Sequence, residues 1–136
     1  MLHSADQAAG LRRLFRRTPS AVVALFASGR APRDLAVQTL VALTEGARRI
    51  VAIDEHGPER GSLLAAFGYP EAGDLLGALQ GPFEVSDTMR EVAEGLWVVP
   101  AAAAALAVPL LDDAQHARLE SAIAELQRRA DLLAIH

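Results

Sequence analysis

The chain contains no cysteine and no lysine; all 13 of its basic residues are arginine. The first absence excludes disulfides, thiolate catalysis and cysteine-ligated metals. The second removes every side-chain ammonium that could serve a phosphate site. Aromatic residues are only 4% of the chain, so its core must be built from Ala, Leu and Val on closely approaching helices and strands. Positive charge is short as well: the net charge is -4, which argues against a nucleic-acid surface built on bulk charge. No uninterrupted apolar run reaches the roughly 18 residues of a spanning helix, and Met1 to Gln7 is polar, unlike a signal peptide. The expectation is a cytoplasmic protein without direct membrane insertion.

What is present is a 136-residue chain that is 51% hydrophobic, a length and composition suited to one compact domain. Four short apolar runs stand out: Ala21 to Phe26, Ile50 to Ile53, Leu96 to Val99 and Leu132 to Ile135. Being continuous rather than alternating, they read as strands buried on both faces, the pattern of a parallel sheet covered by helices. Helical periodicity runs from Leu35 to Thr44, with Gly46 as C-cap, and from an Asp112-Asp113 N-cap to Ala130. Glycines and prolines between the second and third runs cut out short helices around Leu63 to Phe67, Leu75 to Leu79 and Asp87 to Glu94. The alanine run Ala101 to Ala105 reads as a tight strand-to-helix turn, and Trp97 as core. The fold expected is three-layer α/β, with a mainly parallel sheet of about four strands and flanking helices.

Ahead of the first strand, Ser4-Ala5-Asp6-Gln7 has the form of a capping box, followed by an apolar stripe through Ala8, Leu11 and Leu14/Phe15. Thr18-Pro19 stops the helix it starts. Residues 1–19 thus read as an amphipathic arm and 20–136 as the α/β unit.

The order strand, loop, helix, then Arg48-Arg49-Ile50-Val51-Ala52-Ile53-Asp54 resembles a MinD/ParA-type ATPase. Ser28-Gly29-Arg30 matches the start of that family's phosphate-binding loop, and Asp54 the first residue of its Asp-x-Asp pair. Glu94 to Ala101 follows its third strand into a proline turn. Asp6-Gln7-Ala8-Ala9-Gly10-Leu11-Arg12 fits the DQAxxLR motif of the FlhG/FleN flagellar branch. That resemblance implies that Asp6, Gln7, Ala8, Leu11 and Arg12 dock on an FlhF-type GTPase or another flagellar regulator. The residues alone leave open a plainer role, in which Ser4 and Gln7 cap a helix that Leu11 anchors to its own core.

Against the family pattern, the phosphate loop is dismantled. A P-loop converges backbone N–H groups on phosphates while a lysine reaches the outer ones and a Ser/Thr hydroxyl holds magnesium. Here Pro32 has no N–H, Asp34 brings negative charge, and Leu35-Ala36 stands where Lys-Ser/Thr belongs. Arg30 aligns with the signature lysine but lacks a cradle. The second aspartate of the pair, which in the family helps position the attacking water, falls at His56, and His136 stands where the family's DTxxG segment opens. No ATPase activity and no nucleotide cofactor are therefore expected. Since the resemblance ends at the last strand, the first strand is expected to present an open edge suited to a homodimer or heterodimer. His3, His56, His116 and His136 show no HxxxH or HxH spacing, so spacing alone proposes no metal. No GxSxG or paired-carboxylate arrangement supports another chemistry. The reading is a non-catalytic FlhG/FleN-like regulator of flagellar biogenesis; the alternative is a pseudo-ATPase module pairing through its sheet edge with a MinD-type ATPase or a transcriptional activator.

Overall fold

The computed structural model describes residues 20–26, 32–46, 48–57, 61–70 and 73–136. The DQAxxLR arm and Ser28-Gly29-Arg30 lie outside these residues. Among the described residues, no helix is long and apolar enough to cross a membrane.

The elements run β1 (Ala21–Ala24), α1 (Pro32–Thr44), β2 (Ile50–Asp54), α2 (Leu63–Ala66), α3 (Leu75–Gln80), α4 (Val85–Thr88), β3 (Arg90–Ala93), β4 (Leu96–Pro100), α5 (Ala102–Ala107), a 3-10 turn (Val108–Leu110), α6 (Asp113–Arg129) and β5 (Leu132–Ile135). They form one five-stranded sheet of order β1-β5-β2-β4-β3. β1, β5, β2 and β4 are mutually parallel, and β3 is antiparallel to β4.

The sheet has helices on both faces because its central strands are apolar at every position. Along β2, Ile50 and Ala52 point to the layer holding Ala36 and Leu40 of α1 and Leu63 and Leu64 of α2. Val51 and Ile53 point the other way, to Leu75 and Leu79 of α3, Ala104 of α5 and Ala122 and Leu126 of α6. Ile50, Val51 and Ala52 are wholly buried, and each large aliphatic side chain so placed contributes roughly 1.5–3 kcal/mol of transfer free energy. The three-layer α/β expectation is met. Trp97 is half-buried and packs against the second of these layers. Asp112 is the N-cap expected for the long helix: its carboxylate accepts the Gln115 N–H while the Gln115 side chain accepts the Asp112 N–H.

Two expectations are corrected. The segment Asp87 to Glu94 is not a helix. α4 ends at Thr88, and Arg90 to Ala93 turns back on β4 as a hairpin, giving five strands rather than about four. The turn rests on Gly95, whose φ of +76° suits glycine. Nor is β1 buried on both faces. Among the described residues it is an edge strand paired with β5 alone, and all four of its residues are exposed, Val22 by 52% and Val23 by 38%.

Candidate functional site

In an open α/β sheet, ligands gather beyond the carboxyl ends of the strands. At this edge, β2 ends in Asp54 and β5 is followed by His136. The parallel register that pairs Ile53 with Ile135 sets these two polar residues side by side, and strand alternation turns them toward the α1/α2 layer, as it does Ala52 and Ala134. The ladder continues past them: the His136 N–H donates to the Ile53 carbonyl at 2.9 Å and the Glu55 N–H to the His136 carbonyl at 2.8 Å. Their backbone is thus fixed by the sheet.

Asp54 is 2% exposed, and its carboxylate is heavily engaged. Oδ2 accepts the Leu63 N–H at 2.7 Å, one of the donors left free at the first turn of α2. Oδ1 accepts the His56 N–H at 3.1 Å and lies 3.0 Å from His136 Nδ1. A buried carboxylate needs this many partners to offset its lost hydration. His56 folds over the pair, its ring stacked on that of His136 with centroids 4.1 Å apart. Its Nδ1 lies 3.6 Å from Asp54 Oδ1 and, though buried, has no hydrogen-bond partner among the described residues. His136 is buried, whereas the His56 side chain is 40% exposed, so the cluster opens to solvent on the His56 side.

Nearby, α1 opens with Pro32, Arg33 and Asp34. The Asp34 carboxylate, in the first turn, occupies the field that would otherwise attract an anion, and Arg33 Nε stands 3.8 Å from it. The Arg33 side chain also lies against Gly61, the loop glycine before α2.

Of the positions singled out in the sequence, Asp54 and His56 meet here, and His136 joins them. His116 is exposed on α6, away from this group. Nothing in local spacing groups His56 with His136, because spacing motifs describe ligands on one helix or loop, whereas these follow the ends of neighbouring parallel strands. A legible signal existed nonetheless: each is within three residues of the end of a four-residue apolar run, where a buried parallel strand delivers its first polar side chains.

The chain matches no protein-family model and no curated protein. Its architecture, however, matches solved structures. Over 85% of its length it superposes, with a TM-score of 0.65 and 26% identity, on cobyrinic acid a,c-diamide synthase from Mycobacterium smegmatis with bound ATP analog and magnesium. A plasmid partition protein from Borrelia burgdorferi matches over 87% of the chain, with a TM-score of 0.64 and 12% identity. The fold is that of the MinD/ParA-like P-loop NTPases. The MinC:MinD cell division complex of Aquifex aeolicus matches over 85% of the chain with a TM-score of 0.60 and 18% identity. The chain spans about half the length of each, 50%, 55% and 46% respectively. Within this MinD/ParA-like fold, the Asp54 cluster lies at the carboxyl ends of the neighbouring strands β2 and β5.

Proposed function

We propose that this chain is a non-catalytic regulator with a MinD/ParA-like fold, acting by binding another protein rather than by turning over ATP. The observation that supports this reading most directly is the engagement of Asp54. The carboxylate that the resemblance aligns with the first catalytic aspartate spends both oxygens on its own chain, at 2.7, 3.0 and 3.1 Å. Asp34 at the start of α1 and the complete lack of lysine point the same way. Calorimetric titration with ATP and magnesium is expected to give no binding heat, and a phosphate-release assay no turnover; hydrolysis lost on an Asp54 substitution would overturn the reading.

The partner is proposed to be an FlhF-type GTPase or another flagellar regulator, contacted through Asp6, Gln7, Ala8, Leu11 and Arg12. This placement in the FlhG/FleN branch rests on the DQAxxLR motif alone. A pull-down and GTP-turnover assay should show binding and acceleration by the intact protein, and loss of both in the Asp6→Ala/Gln7→Ala form. A second reading is favoured by the exposed β1: pairing through that edge with a MinD-type ATPase, a transcriptional activator or a second copy. Deleting residues 1–18 separates them, because only the edge reading retains partner binding.

A further inference from the structure

We propose that Asp54, His56 and His136 bind a divalent transition metal, zinc being the ion whose preferences they fit. One carboxylate oxygen and two imidazole nitrogens form a mixed donor set that suits zinc, copper, iron or nickel, and not magnesium or calcium, which take oxygen ligands. The three ligand atoms lie within 4.8 Å of one another. Two of the separations are 3.0 and 3.6 Å. Tetrahedral ligands at roughly 2.0–2.1 Å from zinc stand about 3.4 Å apart, a value these two edges bracket; because the two rings are stacked at 28°, loading requires the His56 ring, on the open side of the cluster, to turn until its Nδ1 lone pair faces the ion.

A second observation points to the same ion. His56 Nδ1 is a buried nitrogen without a hydrogen-bond partner among the described residues, held beside a carboxylate oxygen that already serves two other groups. Buried polar atoms are rarely left this way, and a cation held at the Nδ1 edges of the two rings, beside Oδ1, satisfies it once the His56 ring has turned toward it. Loading replaces the 3.0 Å contact between His136 Nδ1 and Asp54 Oδ1 with a bond from each to the ion, the neutral ring carrying its one hydrogen on Nε2.

The surroundings supply the orienting contacts that metal ligands require. The Leu63 N–H holds Oδ2, which aims Oδ1 at the histidines. The β2/β5 register fixes two of the three ligands on rigid strands. Three protein ligands leave a fourth position, on the half-exposed His56 side, for water or an anionic group.

The full chain, stripped with EDTA, is titrated with Zn²⁺ by calorimetry against a competing chelator, and with Co²⁺ by absorption spectroscopy. One zinc per chain is expected, with intense visible Co²⁺ bands of a low-coordinate site. His56→Phe keeps a ring to stack on His136 but removes the nitrogen, and should weaken zinc at least tenfold while leaving the circular dichroism unchanged. His116→Phe should leave affinity unchanged. Absence of stoichiometric zinc, equal affinity in folded His56→Phe, or the weak spectrum of hexa-aquo Co²⁺ overturns the proposal and reduces the cluster to a hydrogen-bonded strand cap. Should His56→Phe fail to fold, the Co²⁺ spectrum of the unmodified protein decides the question alone.

Discussion

Replacing Asp74 by alanine should destabilise the protein more than removing any other single helix cap. Asp74 is the N-cap of α3, where Oδ1 accepts the Leu76 N–H at 2.9 Å. The same carboxylate also accepts the Ala104 N–H at 3.0 Å and the Ala103 N–H at 2.9 Å. Those two donors open α5, whose own N-cap position is Ala101 and carries no acceptor. One side chain therefore caps two helices, α3 and α5. An N-cap exchanged for alanine costs about 1 kcal/mol, so two caps amount to about 2 kcal/mol, and bonds to an ionised acceptor raise this toward about 3 kcal/mol. Asp112→Ala is the internal reference. It removes one exposed cap, the 2.8 Å bond to the Gln115 N–H, and should cost about 1 kcal/mol. Urea unfolding of both variants, followed by circular dichroism at one pH and protein concentration, gives the comparison. With total stability of about 5–15 kcal/mol for a domain of this kind, the difference in midpoint is readily resolved. If Asp74→Ala is no more destabilising than Asp112→Ala, the bonds across to α5 contribute nothing beyond what water supplies, and the account of a shared cap fails.

Gly95→Ala should cost roughly 2 kcal/mol or more, since a left-handed conformation alone costs a side chain about 1–2 kcal/mol; here φ is +76° and an added Cβ would stand 3.0 Å from the Arg48 carbonyl. The glycine cannot move away easily, because its carbonyl accepts the Ile50 N–H at 2.8 Å; a thermal midpoint equal to the parent's would refute this. The backbone N–H of Arg49, donated at 2.8 Å, and then its guanidinium hold the Asp131 carboxyl below the usual carboxylate range. A folded-state pKa below the unfolded one means stability that is present above the unfolded value and lost as pH falls through the folded one. Asp131→Asn should therefore flatten the acid limb of the melting-temperature profile slightly, as both side chains are half-exposed and screened; an unchanged acid limb counts against it. Val22→Arg on the open face of β1 should abolish any concentration-dependent self-association seen by light scattering, with the far-ultraviolet spectrum unchanged; association surviving the substitution assigns it to another surface.

What could be read from the residues were the features carried by local pattern. The runs Ile50 to Ile53, Leu96 to Val99 and Leu132 to Ile135 are apolar at every position because both faces are covered, and they became β2, β4 and β5. Asp112 announced α6 because a capping box is complete within four residues. β3 was not legible: it is four residues long, flanked by a single turn of helix and a two-residue turn, and its strand character comes from pairing with β4. At the site, Asp54 and His56 were singled out by resemblance, but their grouping with His136 depends on register between distant strands, to which local pattern is blind. The reach of Asp74 to α5 escaped for the same reason, and the alanine-rich helix α5, Ala102 to Ala107, could dispense with a cap of its own because this one exists.

The position of β5 between β1 and β2 sets an order of assembly. β1 has no ladder to β2, although α1 joins them; its partners are Leu132 to Ile135, near the opposite end of the described chain. As the chain leaves the ribosome, β2, β3 and β4 can form a sheet with their helices, while β1 waits without a neighbour and the flank of β2 stays open. Emergence of β5 closes both gaps at once, through ladders to β1 and β2 that are parallel and long in sequence separation, the kind of contact that forms slowly. Until then two unsatisfied strand flanks face the cytosol of the synthesising cell, so the interval before β5 appears is the period in which the nascent chain is most exposed to mispairing and to capture by chaperones.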